Sequence, residues 1–132
     1  MKKRCDRLVL ADGVFDPIHI GHVRYLAAAA LSGTRLLVRI APDAVIRAKG
    51  RQPFQTQTER ALVIGQFKCV DDVCTDETLE AAIRAHRPAY LVKGCEWQDR
   101  LPPAIVTACD AVGTRIKFTQ TSARTSTERL AG

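Results

Sequence analysis

Gly13-Val14-Phe15-Asp16-Pro17-Ile18-His19-Ile20-Gly21-His22 joins an apolar run, Arg7–Ala11, to an alanine-rich stretch, Gly21–Leu31. The run reads as a strand. The stretch reads as a helix, with Val23, Leu26, Ala27 and Ala30 on one face and Gly33 as its stop signal. The decapeptide is therefore a strand-to-helix junction, the place where an open α/β sheet offers backbone N–H groups and a helix dipole to a phosphate. Gly13 permits a tight turn, and Gly21 lets a ligand approach the helix backbone closely. His19 and His22 are three apart, so at a helix start they point the same way. Two imidazoles there can donate hydrogen bonds to a triphosphate. A pair at this spacing also suits a metal, but no third zinc ligand stands nearby in the sequence.

Outward from the junction, short apolar runs alternate with helical stretches. Arg35–Ile40, Val70–Cys74, Ala89–Lys93 and Thr114–Phe118 read as further strands. Thr58–Phe67 reads as a helix with Thr56 or Thr58 as N-cap. A helix opening at Thr75-Asp76 runs to about His86, and Pro102–Ala111 is another, with proline near its first turn and Gly113 near its end. A short last helix is expected near Thr125. This alternation predicts an α/β fold: a Rossmann-like, doubly wound, parallel five-stranded sheet of order 3-2-1-4-5 with helices on both faces. The histidine motif and Lys93-Gly94 then follow neighbouring strands at the switch point. The stretch from Ala41 to Gln57 is the longest expected loop, and it carries Arg47, Lys49 and Arg51 with no acid after Asp43.

The 132 residues fit a single domain spanning 1–132. The net charge of +6 favours anionic partners, but only 5% of residues are aromatic and the cations are dispersed, which argues against a nucleic-acid binder. No signal peptide and no apolar run of bilayer length is evident, so a soluble cytoplasmic protein without membrane partners is expected. The five cysteines, Cys5, Cys69, Cys74, Cys95 and Cys109, are scattered, with no C-x-x-C pair, and read as reduced thiols.

The decapeptide resembles the G-x-F-D-x-x-H-x-G-H signature of the cytidylyltransferase-like nucleotidyltransferases. Further landmarks follow in that family's order: His22-Val23-Arg24-Tyr25-Leu26, Ala41-Pro42-Asp43, Lys49-Gly50, Glu59-Arg60, Val70-Asp71-Asp72-Val73, Val92-Lys93-Gly94-Cys95-Glu96-Trp97 and Thr125-Ser126-Thr127. Within the family the chain looks most like the adenylyltransferase domain of bacterial ADP-heptose synthases, with glycerol-3-phosphate cytidylyltransferase next. Two departures stand out. Cys95-Glu96 occupies a place where relatives usually have Gly-Asp or Asp-Asp, and Arg124-Thr125-Ser126-Thr127-Glu128 lacks the glycine that usually precedes the Ser-Thr-Thr of relatives.

The resemblance implies transfer of a nucleoside monophosphate, AMP from ATP before CMP from CTP, to a phosphorylated small molecule with release of pyrophosphate. It implies that Gly13, Val14, Phe15 and Gly21 line the nucleotide pocket, that His19 and His22 hold the phosphates, and that Lys49 neutralises their charge. Lys93, Gly94 and Glu96 would lie near the base and ribose, and Thr125, Ser126 and Thr127 would cap the phosphates. Arg60 is either an acceptor contact or a structural helix residue. Mg²⁺ is expected with the triphosphate; Asp16 either reaches it through water or serves the turn. Relatives commonly dimerise, so a homodimer is implied. A catalytically silent nucleotide-binding module is the alternative of a different class.

Overall fold

The computed structural model describes residues 7–120. Thr125, Ser126, Thr127 and the short helix expected there lie outside the described residues. The element order is β1 (Leu8–Gly13), α1 (Ile20–Ala30), β2 (Arg35–Ile40), α2 (Asp43–Ala48), α3 (Gln57–Gly65), β3 (Asp72–Cys74), α4 (Leu79–His86), β4 (Tyr90–Lys93), a 3-10 turn (Cys95–Trp97), α5 (Pro103–Val112) and β5 (Arg115–Phe118). All four strand pairings are parallel, and the order is β3-β2-β1-β4-β5. The expected topology is therefore the observed one, with the switch point between β1 and β4.

Period-2 alternation along the strands divides the core. Val9, Ala11, Leu36, Val38, Ile40 and Val92 face one layer, where they meet Tyr25, Leu26 and Ala29 of α1 and Ile64 of α3. Leu10, Leu37 and Leu91 face the other, against Leu79, Ala82 and Ile83 of α4 and Ile105, Ala108 and Cys109 of α5. Carried to the strand ends, the same alternation puts Arg39, Asp12 and Lys93 side by side on the α4–α5 face. Asp12 is the register partner of Arg39, and Ala11 that of Val92.

The structure departs from expectation in several of its elements. α1 buries Gly21, Tyr25, Leu26 and Ala29, whereas Val23 is exposed, so its apolar face is rotated from the expected stripe. α4 starts at Leu79, capped by the Thr78 side chain on the Ala81 N–H, rather than at Thr75. The stretch from Ala41 to Gln57 is not one loop, because α2 occupies Asp43–Ala48 within it.

Two buried charges hold that stretch. Arg60 of α3 has a fully buried side chain and donates to the carbonyls of Gln55, Val14 and Ala41 and to the Asp43 carboxylate. The Asp16 carboxylate, also fully buried, accepts from the Arg51 guanidinium and from the N–H groups of Phe54 and Gln55. Burial pushes the Asp16 carboxyl up, but those donors outweigh it and hold its pKa below the ordinary value. Both side chains thus tie the segment after β1 to the segment after β2. Arg60→Leu would strand three carbonyls and a carboxylate at once, and the unfolding free energy should fall by about 3 kcal/mol. Urea denaturation of the two proteins checks this; a midpoint equal to that of the parent would show that Arg60 is not the tie.

Candidate active site

The carboxyl ends of β1, β2 and β4 open onto a cavity of about 660 Å³, lined on the β1 side by Asp12, Gly13, Val14, Phe15, His19 and His22. Arg39, Ala41, Val45 and Lys49 come from β2 and α2, and Lys93, Gly94, Glu96 and Trp97 from β4 and the 3-10 turn. Leu79 and Ile105 close the α4–α5 side. The sequence motifs meet here because the topology sets β1 beside β4.

The histidine pair is built by the needs of a helix end. The first amides of α1 have no intrahelical acceptor. His19, the N-cap residue, accepts the Gly21 N–H at its Nδ1, 3.0 Å away, and His22 Nδ1 accepts the His19 N–H at 3.2 Å. A nitrogen that accepts carries no proton, so in both neutral rings the proton sits on Nε2. The rings stack at 3.8 Å between centroids, with the Phe15 ring edge-on to His22 at 5.1 Å. Burial lowers the pKa of both; that of His22, with His19 as a second cause, falls to about 4. Two neutral Nε2–H donors therefore flank the start of α1, whose first turn holds no acidic residue.

The glycines work differently from the reading of the sequence. Gly13 closes a strand, and the left-handed residue is Phe15, at φ 54°. A methyl at position 13 would stand 2.7 Å from the Phe15 ring, so glycine there seats that ring. Gly21 is buried, and its N–H is taken by His19, so it offers the cavity nothing. Gly94 leaves room for the Glu96 carboxylate, which a side chain at 94 would push aside.

The charged residues sort clearly. Lys49, the C-cap residue of α2, is exposed and lines the cavity, so it sits at a helix end rather than on an irregular loop. Lys93 also lines the cavity; its Nζ lies 3.3 Å from Asp12 and 4.6 Å from the centre of the Trp97 ring. Glu96 lines it too, with a buried Oε1 that has no hydrogen-bond partner among the described residues. Arg60 lies off the cavity with its donors on three backbone carbonyls and the Asp43 carboxylate, which favours the structural role over acceptor contact. Asp16 spends both oxygens on Arg51 and two amides, so the turn role fits and metal ligation does not.

Asp12 and Arg39 were not anticipated. Arg39 bonds Asp12 at 2.9 Å, giving a buried positive–negative–positive row from β2 through β1 to β4. A cue was present in the charged residues that interrupt Leu36–Ile40 and follow Val9–Ala11, since a buried parallel strand ordinarily carries none.

Comparison with known proteins agrees with this geometry. A family model described as cytidylyltransferase-like matches residues 10–125. The bifunctional protein HldE of Wolinella succinogenes is 38% identical over 103 residues, covering 75% of this chain and 22% of that protein. HldE of Azorhizobium caulinodans is 41% identical over 95 residues, covering 69% of this chain and 20% of its own. The chain thus spans about a fifth of the length of these relatives. A lipopolysaccharide core biosynthesis protein from Thermoplasma volcanium superposes with a TM-score of 0.72 at 25% identity, covering 89% of this chain and 98% of its own. A protein of unknown function from Archaeoglobus fulgidus shares the fold, with a TM-score of 0.68 at 19% identity over 85% of this chain and 88% of that one. With the histidine junction, the switch-point cavity and a family match over most of its length, this chain belongs to the cytidylyltransferase-like family.

Proposed function

We propose that the chain transfers AMP from ATP to a sugar phosphate such as D-glycero-D-manno-heptose 1-phosphate and releases pyrophosphate. The observation that carries this reading is the pair of Nε2–H donors at an acid-free helix start, facing a cavity that also receives Lys49 and Lys93. Such a corner suits a triphosphate tail. The likeness to HldE proteins and to a lipopolysaccharide core biosynthesis protein supports a sugar phosphate over other acceptors.

An acceptor phosphate oxygen is already anionic at neutral pH, so it needs no strong base. It attacks the α-phosphorus in line; the new P–O bond forms as the bond from the α-phosphorus to the bridging oxygen breaks, and pyrophosphate leaves with that electron pair. The two imidazoles and Lys49 stabilise the charge that develops on the phosphates, and the cavity walls hold the partners in line. The unpartnered Glu96 oxygen is suited to a ribose hydroxyl or a base amino group. Mg²⁺, where it accompanies the triphosphate, would neutralise phosphate charge and would be held by phosphate oxygens more than by side chains of this chain. The described residues offer it no dedicated cage, since Asp16 is spent and Asp12 is shared by Arg39 and Lys93.

A panel of ATP and CTP against heptose 1-phosphate and glycerol 3-phosphate, read by pyrophosphate release, tests the reading. ATP with the heptose should be the productive pair, and turnover only with CTP and glycerol phosphate would replace it.

With the productive pair, His19→Ala or His22→Ala should each lower kcat/KM by about 100-fold or more. Near-parental turnover in both would remove the imidazoles from the mechanism. Lys49→Ala should raise the nucleotide KM and lower kcat, and unchanged kinetics would make Lys49 a bystander.

The depressed histidine pKa also has a signature in stability. A group with a folded pKa near 4 and an unfolded value near 6.5 contributes fully above pH 6.5, and that contribution is lost as the pH falls toward 4. His22→Gln should flatten this part of the stability–pH curve measured by urea unfolding. A curve with the parental slope would contradict the burial argument.

A further inference from the structure

A second group of chemically active side chains lies at the edge of the sheet, away from the cavity wall. Cys74 ends β3, Asp76 follows in the connection, and His86 ends α4. The Cys74 Sγ, an Asp76 oxygen and a His86 nitrogen all lie within 4.8 Å of one another. His86 Nε2 is 3.3 Å from Asp76 Oδ1, and all three residues are half-buried. The nucleotidyl-transfer reading uses none of them.

We propose that Cys74, Asp76 and His86 form a binding site for one zinc-type divalent cation. Thiolate, imidazole and carboxylate are the donor set of borderline-soft, tetrahedral metals. Ligand atoms around tetrahedral zinc stand roughly 3.2–3.8 Å apart, given bonds of about 2.0–2.3 Å. The observed spread therefore closes with side-chain adjustments of about an ångström. The set leaves a fourth position open for water.

Arg39 positions the middle ligand. Arg39 donates from Nε to the Asp76 carbonyl at 3.0 Å and from its second terminal nitrogen to the Glu77 carbonyl at 2.8 Å, which fixes the backbone of the middle ligand. A guanidinium would oppose a site of net positive charge. Here a dication meets one thiolate and one carboxylate, so the loaded site is neutral. Binding releases the Cys74 thiol proton to solvent. Because the same Arg39 reaches Asp12 on the cavity floor, the metal would brace the segment that holds Arg39 in place.

The test uses the full chain, reduced and stripped of metal by chelator. Zn²⁺ is titrated against a chromophoric chelator, and Co²⁺ is followed by absorption. One equivalent should bind, and Co²⁺ should give the near-ultraviolet band of a thiolate-to-cobalt charge transfer. Cys74→Ser should abolish that band, and Cys74→Ser and His86→Ala should each weaken Zn²⁺ binding by on the order of 100-fold. A His19→Ala/His22→Ala double variant should keep both band and affinity, which separates this site from the histidine pair. Unfolding midpoints in excess chelator show whether each variant is folded; if Cys74→Ser is not, His86→Ala decides. The proposal is overturned by a parent protein without the cobalt band, or by a folded His86→Ala variant with parental zinc affinity.

Discussion

The start of α1 is the constraint on which the site depends. Its free amides need acceptors, and the chain supplies them from imidazole rings rather than from the usual hydroxyl or carboxylate. An aspartate cap would satisfy the same amides but set a negative charge where an anion must sit. A histidine cap accepts with one nitrogen and keeps a donor on the other. Secondary structure and chemistry are thus served by one side chain, and the hydrogen bond that ends the helix also chooses the tautomer. Phe15 completes the arrangement by walling one side of His22, and Gly13 makes room for Phe15.

Around that corner, the chain relies on buried charge to keep irregular backbone in place. Asp16 collects amides from the segment after α2, and Arg60 collects carbonyls from the segments after β1 and β2. Each leaves few polar backbone groups unmet in a region with little regular structure. The cavity therefore has fixed walls, although much of its rim is not sheet or long helix.

The fold was legible because parallel strands buried on both faces announce themselves as unbroken apolar runs. Leu36–Val38 is such a run, and Arg39 is the charge that breaks it before Ile40. The switch point and the meeting of His19 with Lys93 followed from topology. Side-chain destinations were harder to read. Arg60 and Asp16 sit in motifs that invite functional roles, and only their partners show that they hold backbone. Those partners come from positions 14 to 55, a distance in sequence that no local pattern reveals. Arg39 and Asp12 went unread for the opposite reason: each looks like an isolated charge until the register places them opposite one another. Cys74, Asp76 and His86 escaped because their spacing matches no familiar metal motif and they converge only when α4 folds back over the sheet face from the end of β3.

The row of Arg39, Asp12 and Lys93 constrains how this domain can change over generations. Its central acid lies between two buried cations, so losing it alone would leave like charges facing each other with little exposure to solvent. Arg39 and Asp12 should therefore be inherited as a unit, and descendants that drop one should have dropped or replaced the other. Drift at the floor of the cavity would then proceed in paired steps.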